Sequence, residues 1–229
     1  EDWIMKFNEF KYERPNLDTF KNLILKELNL IATSKTLDEE IKAIKKINDL
    51  NDELQSMATL VSIRNSINTK DPFYEEEQAF FDENMPVVSE LFNILDKKLL
   101  ASKHIDKLKE EFGELLFKQT EVSLKTFKPE IIEDLQLENK LTTEYVKLKA
   151  SAEIEFKGKV YNLSQMSPFA QSTDRNIRKE ATLAVSNFYK ENISEFDRIY
   201  DELVKVRTKI AKKLGYKNYW QVLNAKDYG

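Results

Sequence analysis

The chain has 229 residues with 36 basic and 40 acidic side chains, a net charge of -4, and no cysteine. A chain of this length typically buries roughly 70–75 % of its unfolded surface, so stability requires neither disulfides nor metal. The cysteine count excludes a disulfide framework, thiolate zinc ligands and a cysteine nucleophile and fits a cytoplasmic protein, interspersed charge argues against a nucleic-acid partner, and no apolar run approaches the ~18 residues that span a membrane.

Residues 1–4 precede Met5, the expected natural start, and read as an expression remnant. Only 4 glycines and 5 prolines interrupt the chain, which rules out an all-β fold and predicts long helices. Two parts are expected: an N-terminal helical bundle over 5–150, and a hairpin with further helices over 151–229. The overall expectation is a mainly α, bundle-like lobe of long antiparallel helices with one small hairpin near residues 152–163.

The first helix is predicted over about 16–33, with Leu17, Phe20, Leu23, Ile24 and Leu28 facing inward. The second opens on a capping box, in which the Thr36 hydroxyl accepts from a free backbone donor and Glu39 reaches back. Behind it Ile41, Ile44, Ile47, Leu50, Leu54, Met57, Leu60 and Ile67 recur at intervals of three and four, until Asp71-Pro72 closes the stretch. A third helix starts at Pro72 and is expected to kink or break at Pro86 before resuming through Val88, Leu91, Leu95 and Leu99. Ser102 can cap a fourth, carrying Ile105, Leu108, Phe112, Leu115 and Leu116. Pro129 suits the first turn of a fifth, running to about Ala150.

Then the apolar period changes. In SAEIEFKGKVYNL, Ile154 and Phe156 alternate with Glu153 and Glu155, Lys157-Gly158 offers a turn, and Val160 with Tyr161 begins the return. Strands are expected over 152–156 and 159–163; a two-residue loop pairs Phe156 with Lys159, and a three-residue loop pairs it with Val160. Beyond it Ser164, and then Ser172 or Asp174, can cap a short helix and a long one. The long apolar pattern runs from Leu183 to Leu214 with a break near Asn192. Gly215 can supply a left-handed cap, after which Tyr216, Tyr219, Trp220 and Leu223 open a further apolar stripe.

No catalytic centre can be written from these residues. His104 is the single histidine and lies at a helix start, so neither a histidine-based zinc site nor a Ser-His-Asp arrangement has its parts. The glycines, at 113, 158, 215 and 229, give no phosphate-cradling loop. Glu75-Glu76-Glu77 reads as a solvated helix face. The basic run Lys205, Arg207, Lys209, Lys212, Lys213 and Lys217 flanks an apolar stripe and crowds a helix end, where cations complement the dipole. The catalytic and metal residues of this chain are therefore none, and no substrate-binding residue is assigned.

Several stretches resemble the N-terminal half of the oligoendopeptidase F family, thimet-type M3 zinc metallopeptidases. They are FNEFKYERPNLDTF, MATLVSIRNSINTKDPFYEEEQAFFDENMP, EIIEDLQLENKLTTEYVKLKASAEIEFKGKVYNLSQMSPFAQSTDRNIRKEA and YDELVKVRTKIAKKLGYKNY, in order from about Met5 to Tyr219. The resemblance implies a non-catalytic lobe that, facing a C-terminal catalytic domain, shapes an enclosed channel for short peptides and restricts substrate size. It implies a zinc ion held by His-Glu-x-x-His in that domain, a motif this sequence lacks. Tyr216, Tyr219, Trp220 and Tyr228 are then the expected contributors to the interface with the absent half. The alternative is a free-standing helical scaffold or protein-interaction module without enzymatic activity.

Overall fold

The computed structural model describes the backbone of residues 6–228 and the side chains of residues 6–225. The described chain divides into two compact units. One runs to Glu133 and takes in the chain again from Ala211, and the other is Asp134–Ile210.

The first unit contains α1 (Leu17–Thr33), α2 (Leu37–Ile67), α3 (Pro72–Leu100), α4 (Ile105–Phe112), α5 (Glu114–Thr126), a 3-10 turn (Pro129–Ile131) and, after the second unit, α10 (Tyr219–Tyr228). The first three helix starts are each set by a nearby polar residue. Asn16 accepts from Thr19 N at 2.9 Å at the head of α1. Thr36 accepts from Glu39 N while Glu39 Oε2 accepts from Thr36 N, both at 3.3 Å, completing the capping box of α2. Asp71 accepts from Phe73 N at 3.0 Å, with Pro72 in the first turn of α3.

Burial then selects one face of each helix. Phe20, Ile24, Leu28 and Ile31 of α1 pack with Ile44, Ile47 and Leu54 of α2, Phe81, Leu91 and Leu95 of α3, Leu108 of α4 and Phe117 of α5 in one core. Leu23, expected inside, is 38 % exposed, because steps of four and three from Phe20 put Ile31 on the buried face instead. Ile67, the last residue of α2, is exposed.

Two breaks fall elsewhere than expected. The third helix runs unbroken through Pro86, which is itself buried between the core residues Phe81 and Val88. Packing on both sides offsets the roughly 3 kcal/mol that an interior proline costs. The fourth expected helix is two, divided at Gly113, whose φ of 87° is left-handed backbone that glycine adopts without strain.

The second unit holds most of α6 (Ile132–Ala150), a hairpin of β1 (Ile154–Phe156) and β2 (Lys159–Tyr161), α7 (Leu163–Ala170), α8 (Arg175–Glu191) and most of α9 (Ile193–Leu214). Phe156 pairs with Lys159, so the loop has two residues, with φ of 48° at Lys157 and 75° at Gly158. Positive φ at both positions gives the loop the twist that antiparallel strands favour. The strands are three residues each rather than five, since Asn162 leaves the hairpin to cap α7, accepting from Gln165 N at 2.8 Å. The cap of α7 thus lies two residues before Ser164, the position expected for it. Of the two residues expected to cap α8, Asp174 does so, accepting from Asn176 N at 2.8 Å. The break at Asn192 separates α8 from α9. Ile154 and Phe156 turn inward onto Met166, Ala181 and Phe188, with Phe169 against Phe156 at 5.1 Å between ring centroids.

Candidate functional site

The aromatic stripe near the end of the chain begins where α9 stops. Gly215 adopts φ of 88°, and two backbone bonds close the helix: Gly215 N donates to Lys212 O at 3.1 Å and Tyr216 N to Ala211 O at 2.8 Å. This doubly bonded left-handed end redirects the chain. Asn218 then accepts from Gln221 N at 3.1 Å, and Gln221 Oε1 from Lys217 N at 2.9 Å, which starts α10. Lys213 Nζ donates to Glu130 O at 2.7 Å, tying the end of α9 to the turn before α6.

The last helix packs against α5 and sinks Val222 completely, while Leu223, read from the sequence as part of the apolar stripe, is 40 % exposed. Trp220 stands out at 69 % exposed. Tyr216 and Tyr219 are half-buried. These three rings therefore lie within one turn and the first two positions of a helix, with the largest facing solvent. The side chain of Tyr228, the fourth ring expected here, lies outside the described residues.

The first three members of the basic run upstream are matched to acids. Lys209 Nζ is 2.6 Å from Asp134, Arg207 Nε 2.7 Å from Glu138, and Lys205 Nζ 2.6 Å from Asp201. Arg198 extends the series, reaching Glu144 at 2.8 Å, Glu195 at 3.1 Å and Glu202 at 3.2 Å. Arg198, Arg207 and Lys209 thus tie α9 to α6, while Lys205 pairs within α9.

Two acidic residues have environments that spacing does not disclose. Glu77, within the triplet read as solvated, is 3 % exposed. Arg14 Nε donates to both of its oxygens at 3.0 Å, and the Tyr12 hydroxyl donates to Oε2. The guanidinium holds the Glu77 carboxyl below its usual range, against the opposing effect of burial. Burial, followed by the neighbouring carboxylate, pushes the Tyr12 phenol well above its ordinary value. Glu40, in the first turn of α2, is 2 % exposed, and its Oε2 lies 2.8 Å from Nδ1 of His104. His104 is thus held by a carboxylate 64 residues away, which no local pattern signals.

No group of three or more histidine, aspartate and glutamate side chains able to hold a metal ion occurs among the described residues. Nor is any described helix long and apolar enough to cross a membrane.

The model of the peptidase M3 N-terminal domain matches residues 7–127. Comparison with curated proteins finds no match. Three solved structures are similar. An oligoendopeptidase F from Bacillus anthracis str. Ames is 43 % identical with a TM-score of 0.95, over 98 % of this chain and 41 % of that one. PZ peptidase A, solved with an inhibitor, is 45 % identical with a TM-score of 0.94, over 96 % of this chain and 39 % of that one. An oligoendopeptidase F from microfluidically seeded crystals is 43 % identical with a TM-score of 0.94, over 97 % of this chain and 40 % of that one. The chain thus spans about 40 % of the length of the structures it matches. With the family's N-terminal domain over more than half its length, and oligoendopeptidase F structures superposing on nearly all of it, the chain belongs to the M3 peptidase family.

Proposed function

We propose that this chain is the non-catalytic helical lobe of a cytoplasmic zinc-dependent oligopeptidase. Its role is to wall an enclosed channel that admits short peptides and keeps folded proteins out. The observation that carries the reading is the coverage: 97 % of this chain aligns with 40 % of an oligoendopeptidase F chain. The remaining part of such a protein supplies the zinc and its ligands, since the described residues here offer no group that fits a metal. Tyr216, Tyr219, Trp220 and Tyr228 form the surface that docks on that catalytic part, and the 69 % exposure of Trp220 supports this assignment.

The test is the protein in its source. A native mass more than twice the 26.9 kDa of this chain, with chelator-sensitive cleavage of a quenched fluorescent peptide by that larger species and none by this chain, is the expected result. A native mass near 26.9 kDa overturns the reading in favour of a free-standing helical scaffold.

A further inference from the structure

The first unit contains a small polar cavity of about 320 Å³ where the end of α1, the start of α2 and the end of α3 meet. It is lined by Ile31, Ala32, Ser34, Glu40, Lys98, Ala101, Ser102 and Lys103. Its charges are of both signs. Glu40 is 2 % exposed, and its Oε2 takes the His104 ring while Oε1 has no hydrogen-bond partner among the described residues. Glu40 lines the cavity, and this oxygen can accept from a donor that enters it. Lys103 Nζ donates to Ser34 O at 3.2 Å, and half-buried Lys98 has no acidic partner among the described residues.

We infer that this cavity is a binding site for a small zwitterion, a free α-amino acid or a dipeptide, whose ammonium pairs with Glu40 Oε1 and whose carboxylate pairs with Lys98.

The assignment rests on elimination by charge. A simple anion meets the Glu40 carboxylate at the cavity wall. A simple cation meets two ammonium groups, Lys98 and Lys103. A ligand carrying both charges gives Glu40 and Lys98 each a partner, and charge-assisted pairs of this kind are the stronger hydrogen bonds. Size selects within that class: 320 Å³ is at the bottom of the range that holds small organic ligands, which run from about 300 Å³ upward. His104 and Ser102 hold the site in shape, since Ser102 Oγ accepts from His104 N at 3.0 Å while the ring engages Glu40. Nothing in this inference depends on a catalytic domain, so it stands or falls apart from the peptidase reading.

His104 is the chain's single histidine and is bonded to Glu40, so its ring Cε1 proton gives one isolated resonance at the site. Titration of the chain with L-alanine and with L-alanyl-L-alanine, against acetate and methylammonium as single-charge analogues, tests the inference directly. A saturable shift of that resonance with either zwitterion, and with neither analogue, is expected; which zwitterion saturates first decides between amino acid and dipeptide. Lys98→Met, which keeps the stem and removes the charge, is expected to weaken binding at least tenfold, as is Glu40→Gln. Should Glu40→Gln fail to fold, Lys98→Met alone carries the test. No saturable shift with either zwitterion, an equal response to methylammonium, or unchanged binding by Lys98→Met overturns the inference.

Discussion

In the first unit Ile24, Ile47, Val61 and Leu108 are wholly removed from solvent and belong to one continuous apolar core. In the second, α6 buries only Leu141 and the carboxylate-bearing Asp134 along its length, and α9 is fastened to it by Asp134–Lys209, Glu138–Arg207 and Glu144–Arg198. The two regions are alike in helix content and differ in what joins the helices. Apolar burial carries roughly 25 cal/mol per Å², whereas exposed ion pairs such as Glu144–Arg198 are each worth about 0–1 kcal/mol and are screened by salt. The second unit has an apolar core of its own around Ile154, Phe156 and Phe188, so it is the contact of α9 with α6 that is expected to respond most to ionic conditions.

The largest effect is expected where the apolar core is cut. Phe117 of α5 is 2 % exposed, and Phe117→Ala is expected to cost about 3–5 kcal/mol, measured as a fall in urea midpoint with the slope unchanged. An equal loss from Arg207→Ala in the second unit would remove the contrast between apolar and ionic fastening.

Next comes the one place where the first unit depends on charge. Arg14→Met leaves Glu77 buried without its guanidinium, and a fall in the urea midpoint smaller than that of Phe117→Ala is expected at neutral pH. The sign of its pH dependence is fixed by the direction of the shift. Glu77 titrates lower in the folded chain than in the unfolded one, so its stabilisation is present above the ordinary carboxylate range and disappears as pH falls through the folded value. Tyr12 titrates higher when folded, so its contribution is complete below pH 10 and declines above it. Denaturation of wild type and Arg14→Met from pH 7 downward is expected to show the gap between them closing. A gap that stays constant in acid would mean that Arg14 acts by packing over Phe80, at 5.0 Å, rather than by charge.

A third expectation separates local from long-range signals. Thr36→Ala removes the hydroxyl that accepts from Glu39 N and is expected to cost about 1 kcal/mol in thermal or urea unfolding. A smaller loss is expected from Arg198→Ala on the second unit, and roughly 0.5 M salt is expected to halve it at least. A salt-independent loss there would show that the Arg198 stem, not its charge, joins α9 to α6.

Legibility in the sequence divides in the same way, between near and far. Helix ends marked by neighbours a few residues apart are readable: the Thr36 and Glu39 box, Pro72 after Asp71, the left-handed end at Gly215, and the hairpin with its two possible registers. Faces selected by packing are readable only to within a residue or so: spacing points to both Leu23 and Ile24 as inward and only Ile24 is buried, and it points to Leu223 where Val222 is the buried neighbour. Polar pairs distant in the chain leave no trace. Glu76 and Glu77 are identical in type and adjacent and both meet Arg14, which lies 63 residues before Glu77, yet Glu77 alone is buried. The exposure of Trp220 is expected only from the family resemblance, since an aromatic at helical spacing by itself reads as core whether or not a neighbour covers it.

The smallest effect on stability is expected at that ring, where the comparison reaches its limit. Trp220 belongs to the first unit by position, yet 69 % of it faces solvent, so it shares little in the apolar core of that unit. Substitutions at exposed sites generally change stability by no more than about 0.5 kcal/mol, and Trp220→Ser is expected to unfold with the wild-type midpoint. Its buried neighbour behaves oppositely: Val222 is fully buried against the same surroundings, and Val222→Ala is expected to lower the midpoint. If the ring docks on a catalytic part, burying it there contributes on the order of 2 kcal/mol to association, so Trp220→Ser is expected to weaken binding of that part by more than about tenfold. Binding of separately produced catalytic part to the wild-type chain and to both variants, measured by calorimetry, distinguishes the two roles. Undiminished binding by Trp220→Ser would remove this ring from the interface, and a lowered midpoint would place it in the first unit's core after all.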